Sequence, residues 1–169
     1  MQVRKATIAD AKRIAQIHVE TWRAAYRGQI PDAVLDALDI NKRTTLWNKN
    51  LATQPHGVSV AELRKQIVGF CYLVPSRDTD SNSKGIGELV AIYVHPEFWR
   101  KGAGKALCRQ SLKEAGRQNY AAVTLWVLRS NNSARNFYEA MGFCFDGATK
   151  IDRSFQNYEL HEVRYRISV

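Results

Sequence analysis

The sequence predicts one α/β domain over residues 1–169, with helices set between strands. Three observations carry that prediction. Apolar residues recur at helical spacing through residues 11–53, and the period shortens to that of strands from residue 57 onward. The run "AAVTLWVL", residues 121–128, is apolar nearly throughout, as a strand buried on both faces is. Strands and helices then alternate to the end, with no internal repeat and no long linker.

Each element has its own signal. Residues 2–6 read as a short strand. Thr7 offers an N-cap, and Asp10 three places on brings it close to a capping box. Ala11, Ile14, Ala15, His18, Trp22 and Ala25 then fall on one helical face. Gly28 ends that helix and Pro31 starts the next segment. Residues 31–53 read as one or two amphipathic helices, with Leu35, Leu38, Leu46, Trp47 and Leu51 facing the core. "GVSVAEL" and "QIVGFCYLV" are β-rich and meet at "RKQ", which points to a hairpin. Residues 75–87 form a polar loop rich in breakers. "ELVAIYVHP" is a strand closed by Pro96, and a helix runs from about Gly102 to Gln118. After the apolar strand, "RSNNSARNFYEAMGF", residues 129–143, holds a short helix that Asn131 or Asn132 caps and Gly142 stops. Strands over roughly 144–150 and 158–167 finish the chain, the last alternating through Val163, Tyr165 and Ile167.

Composition narrows the function classes. No apolar run approaches the ~20 residues that cross a membrane, and the N-terminus has no signal-peptide core, so a cytoplasmic protein is expected. The three cysteines, Cys71, Cys108 and Cys144, have no metal-like spacing and sit among apolar neighbours, so buried thiols are expected. A net charge of +9 favours anionic partners: nucleic acid, a phosphorylated cofactor or an acidic substrate. The basic residues are dispersed, and no RNA- or DNA-reading motif accompanies them.

Two segments carry chemistry. In "VHPEFWRKGAGKAL", residues 94–107, a strand runs through a basic, glycine-containing turn into an amphipathic helix. Gly102 and Gly104 permit a tight turn and close approach of a ligand. The free N–H groups and dipole of a helix start bind phosphate, and Arg100, Lys101 and Lys105 add charge. Neither the nucleotide-triphosphate loop nor the dinucleotide fingerprint fits this segment. In the second segment Ala134, Phe137, Tyr138 and Met141 share one face. A core needs only Phe at position 138; the hydroxyl of Tyr138 is either a hydrogen-bonded tip or a proton donor.

Taken together, "VHPEFWRKGAGKAL" and "LWVLRSNNSARNFYEAMGF" resemble the GCN5-related N-acetyltransferase (GNAT) family. The family's R/Q-x-x-G-x-G/A loop corresponds to Trp99 through Gly104, with Trp99 standing where Arg or Gln is usual. Its downstream signature corresponds to Asn131, Ala134, Phe137, Tyr138, Gly142 and Phe143. "VETWRAAYRGQIPDAVLDAL" also resembles the first helices of many bacterial members.

The resemblance implies a mixed, mostly antiparallel sheet of about six to seven strands flanked by helices. It places a cofactor cleft between two central parallel strands, one of them bulged. It implies direct acetyl transfer from acetyl-CoA to a primary amine of a small molecule or peptide, in a ternary complex. Residues 100–105, including Ala103, would cradle the pyrophosphate; the backbone of Ile92, Tyr93 and Val94, with Asn131 and Ala134, would hold the pantetheine arm. Tyr138 would protonate the leaving thiolate, and Glu88 would be the base, with His95 a second candidate. Trp22 and Tyr26 would wall the acceptor pocket or simply pack on the sheet. A carboxylate for a cationic amine could come from Glu20, Asp32 or Glu162, and His18 reads as a core or cleft histidine. Family members are often dimers, so a homodimer is expected, with the last strand offering an edge to the partner. A non-catalytic acetyl-CoA-binding regulatory domain and a basic nucleic-acid-binding protein are the alternative readings.

Overall fold

The computed structural model describes residues 1–54, 56–79, 85–153 and 158–169. The expected loop over 75–87 lies partly outside these. Among the described residues the strands are β1 (Gln2–Lys5), β2 (Val58–Leu63), β3 (Gln66–Pro75), β4 (Ile86–Val94), β5 (Ala122–Leu128), β6 (Cys144–Asp152) and β7 (Leu160–Ser168). They form one sheet in the order β1-β2-β3-β4-β5-β7-β6. Only β4 and β5 run parallel; every other neighbour pair is antiparallel. Helices α1 (Ala11–Ala25), α2 (Asp32–Asp36) and α3 (Ile40–Thr53) precede β2. α4 (Ala103–Arg117) joins β4 to β5, and α5 (Asn132–Ala140) follows β5.

Local chemistry places the ends of these elements. The Thr7 N–H donates to Asp10 Oδ2 at 2.8 Å, and Arg4 grips the same carboxylate, tying β1 to the start of α1. Burial alone would raise the Asp10 pKa; the Arg4 hydrogen bonds outweigh it and hold the carboxyl below its usual range. The β2–β3 turn places Arg64 and Lys65 at φ 51° and 65°, the paired left-handed conformation of a two-residue hairpin.

The sheet is covered on both faces. α4 and α5 lie over one, where Leu107, Cys108, Leu125 and Phe143 are buried and Phe137, Tyr138 and Met141 pack against them. α1 and α3 lie over the other, with Ile14, Ile17, Trp47, Val60 and Phe70 at its centre. A smaller cluster of Ile30, Leu35, Leu128 and Leu160 takes in Trp22 and Tyr26.

Three expectations are corrected. Leu46 is 41% exposed, because Trp47 and Leu51, one turn apart, take the inner stripe of α3. Cys144 is exposed, because it opens the edge strand β6, most of which is solvated. The last strand, β7, is not an edge: it is paired with β5 on one side and β6 on the other.

His18 stands on the inner face of α1, 8% exposed, ringed by Trp22, Trp47, Phe70 and Tyr93. Its Nδ1 accepts from Trp47 Nε1 at 3.3 Å. Burial, helped by the Arg43 charge, pushes its pKa down to about 3. The fold therefore selects the neutral ring. The stability this carries is complete above the unfolded value of ~6.5 and is lost as pH falls towards the folded one. Between pH 7 and pH 5 the loss is about 2 kcal/mol, or roughly 4–8 °C in Tm for a domain of this size. Melts of His18→Gln over the same interval are expected to be flatter by most of that amount; an equally steep dependence would remove His18 as its source.

Candidate functional site

β4 and β5 are in register only at Ile86–Ala122, Gly87–Val123 and Glu88–Thr124. Beyond Glu88 the two strands part. On its other side β4 pairs Ala91 with Tyr72 but Leu89 with Leu73, so Val90 is an extra residue. A bulge of this kind bends and twists its strand, and here it turns β4 away from β5. The result is a cleft between two central parallel strands, as the resemblance implied.

The start of α4 closes one end of this cleft. Arg100 at φ 57° and Gly102 at φ 87° fold the chain back, so that the helix begins at Ala103. The first intrahelical bond is Ala106 N–H to Gly102 O, at 3.0 Å. The N–H groups of Ala103, Gly104 and Lys105 thus precede the helical ladder and point out of its end. Arg100, Lys101 and Lys105 are exposed around them. A Cβ on Gly104 would stand 3.5 Å from Phe137, so the turn rests on α5. Trp99, where the family pattern has Arg or Gln, donates its Nε1–H to Val94 O at 2.6 Å; Thr21 donates to the same carbonyl at 3.0 Å. The indole therefore fastens the turn to the end of β4, and one of the carbonyls expected to serve the pantetheine arm is already filled.

α5 forms the adjoining wall. Asn131 Oδ1 accepts from Ala134 N–H at 3.1 Å and caps the helix. That bond engages only the oxygen of the Asn131 amide. Tyr138 stands edge-on to Phe137 and Phe143, and burial, with Tyr93 nearby, pushes its phenol pKa up.

The opposite wall comes from α1. Trp22 and Tyr26 are in edge contact at 5.1 Å. Tyr93 projects to this side, 5.0 Å from His18, while Ile92 and Val94 face α4. Burial raises the Tyr93 pKa, and hydrogen bonds with Trp22 and Tyr26 oppose it. Burial also raises Tyr26, with Tyr93, Tyr138 and Glu162 adding to the shift. Phenols from α1, β4 and α5 thus converge on the cleft.

The candidate carboxylates and histidines separate clearly. Glu88 is 3% exposed and gripped by Arg77, whose Nε lies 2.8 Å from Oε2 and whose Nη2 binds Oε1. The Arg77 backbone N–H adds a bond to Oε2 at 3.2 Å. Burial would raise Glu88, but Arg77 reverses the sign and holds it below the usual glutamate range. Its proton affinity therefore moves the wrong way for a base, contrary to what position alone suggested. His95 caps Glu97 through Nδ1 and meets Glu20 through Nε2 at 2.8 Å, which gives both residues structural partners. Asp32 pairs with Arg27 at the surface. Glu162 lies opposite Leu128 on the α1 side of the sheet, and its charge acts on Tyr26 and Tyr93. Arg77 was not foreseen, since nothing in a polar loop marks one arginine as the partner of a strand residue.

Comparison with known proteins agrees with this geometry. Residues 12–143 match the model of the Acetyltransferase (GNAT) family. An uncharacterized N-acetyltransferase of Bacillus subtilis, YuaI, is 34% identical over 140 residues, covering 82% of this chain and 77% of its own. An uncharacterized N-acetyltransferase of Archaeoglobus fulgidus is 32% identical over 138 residues, covering 82% and 89%. The fold is shared with PaiA N-acetyltransferase of Thermoplasma acidophilum, solved in complex with coenzyme A, at a TM-score of 0.76 and 20% identity, over 99% of this chain and 98% of that one. Family match and relatives agree: this chain belongs to the GNAT acetyltransferase family.

Proposed function

We propose that this protein moves the acetyl group of acetyl-CoA directly to a primary amine of a small molecule or peptide, both substrates being bound together. The observation that carries the reading is the parted β4–β5 pair, with a basic helix start at one end and Tyr138 on its wall. The residues present fit the donor. The N–H groups of residues 103–105 and the α4 dipole suit a pyrophosphate, and Arg100, Lys101 and Lys105 add charge. Backbone left unpaired along the parted strands suits an extended pantetheine arm. With Val94 O occupied, that role falls to Ile92 and Tyr93 and to the Asn131 amide, with Ala134 beside it.

Tyr138 acts as the acid. Its raised pKa keeps it protonated at neutral pH, so it can hydrogen-bond the sulfur and give up its proton as the C–S bond breaks. The same raised pKa means the phenol must regain a proton at once, and the proton lost by the acceptor nitrogen supplies it. Trp22 and Tyr26 bound the space left for the acceptor. Glu88 keeps Arg77 and the base of the cleft in place.

Acetyl-CoA at 100 times its Kd should add about 2.7 kcal/mol of stability, read as a rise in Tm, with calorimetry giving the Kd itself. No binding and no shift would overturn the reading. For Tyr138→Phe, kcat should fall about 100-fold or more while the Kd for acetyl-CoA stays within a few-fold; unchanged turnover would remove Tyr138 as the acid. Trp99→Phe deletes one of the two donors to Val94 O and leaves Thr21. A neutral hydrogen bond of about 1 kcal/mol, released on the cradle, corresponds to a Kd several-fold weaker. A Kd equal to the parent's would show that the turn holds its shape without the indole bond.

A further inference from the structure

We propose that Glu162 is the general base of the transfer: it receives the ammonium group of the acceptor and takes its proton, and Lys150 is the resting counter-ion that the substrate displaces. This rests on the acetyltransferase reading above and supplies the acceptor-side residue that reading lacks.

The sheet places the carboxylate. Glu162 lies opposite Leu128 in the β5–β7 ladder and two residues after Leu160. Strand side chains alternate, so all three project from one face. Leu128 and Leu160 cluster with Trp22 and Tyr26, which fixes that face as the α1 side of the cleft. Tyr26 and Tyr93 both lie within reach of the Glu162 charge, and Tyr93 neighbours Tyr138. Base and acid therefore share one cluster with the phenols of Tyr26 and Tyr93.

The chain's own ammonium shows what this carboxylate accepts. Lys150 Nζ sits 3.2 Å from Glu162 Oε2 and 4.2 Å from the centre of the Trp126 ring. A carboxylate beside an aromatic face is the pairing that recognises an alkylammonium. Lys150 reaches it from β6, the exposed edge strand, so its long side chain can swing away.

The electrostatics run opposite to those of Glu88. Burial raises the Glu162 pKa; Lys150 opposes this, and Asp152 and Glu88 reinforce it. The groups facing Glu162 are Lys150 and Asp152 from β6, Glu88 and Tyr93 from β4, and Tyr26 from α1. The protons balance. Glu162 takes one from the ammonium and passes it to solvent, to which its side chain is partly exposed. The neutral amine forms the C–N bond as the C–S bond breaks. The second proton lost by nitrogen replaces the one that Tyr138 gives to sulfur, leaving an amide, a thiol and one proton in solution.

The test is the pH profile of kcat/KM with spermidine, 1,4-diaminobutane and an alanyl peptide as acceptors, followed by thiol release. With Glu162 as base, the parent profile flattens above the carboxyl pKa. Glu162→Gln should instead climb with unit slope towards the amine pKa of ~10, being 100-fold or more slower at pH 7 and recovering as pH rises. Glu162→Asp should keep the flattened shape at reduced rate. Lys150→Met removes a cation and should move the acid limb to higher pH. A Glu162→Gln profile parallel to the parent's would overturn the proposal. Release of no thiol with any of the three amines, despite acetyl-CoA binding, would instead count against the transfer reading. Titration of the Glu162 carboxyl by 13C NMR in the complex with CoA then decides this proposal alone: a value above the ordinary glutamate range supports it, and one at or below that range overturns it.

Discussion

The parting of β4 from β5 is the constraint on which the rest of the molecule depends. Parallel strands at the centre of a sheet ordinarily satisfy each other's backbone groups along their length. Here they do so for three registered pairs and then separate, because Val90 is one residue too many for β3 to match. Unpaired backbone in the middle of a protein is costly unless something fills it. The cleft is thus a vacancy in a hydrogen-bonded ladder, and an extended, amide-containing arm is the shape of ligand that completes it. The glycine turn, the α4 dipole and α5 all sit where this opening puts them.

The two sides of the opening differ in how they are built, and this decides how much was legible in the sequence. The α4 side is local. Gly102, Gly104 and the basic residues occupy one turn, and Asn131 through Tyr138 form one capped helix. Their geometry follows from capping, left-handed φ and helical spacing within a few residues. The α1 side is assembled from a long reach of chain: Trp22 and Tyr26 from α1, Tyr93 from β4, Glu162 from β7. No short-range pattern brings these together. The strand order does, by inserting β7 between β5 and β6. The same insertion defeated the expectation that the last strand offers an edge.

Glu88 and Trp99 show the limits of reading function from position. Glu88 sits at the point where the strands part, which is where a base would be useful, but three bonds from Arg77 fix its charge and lower its basicity. Its bonds hold Arg77, just beyond the end of β3, at the base of the cleft. Trp99 departs from the pattern of its family at a position usually occupied by a polar side chain. Its ring nitrogen ties the turn before α4 to the end of β4, a contact made within the fold.

The pair of carboxylates on the α1 side completes the argument. Glu88 and Glu162 raise each other's cost of ionisation across the cleft, yet each has its own cation, Arg77 and Lys150. An arginine in a bidentate grip is a permanent partner: its guanidinium does not lose its charge and its fork matches the carboxylate. A lysine is a single point of charge on a flexible stem, held here by one contact to Glu162 and one ring face. Of the two, only the Lys150 pair can open at modest cost, and only the carboxylate it leaves has its pKa raised on balance. The difference between arginine and lysine therefore separates a structural carboxylate from one free to meet a substrate amine.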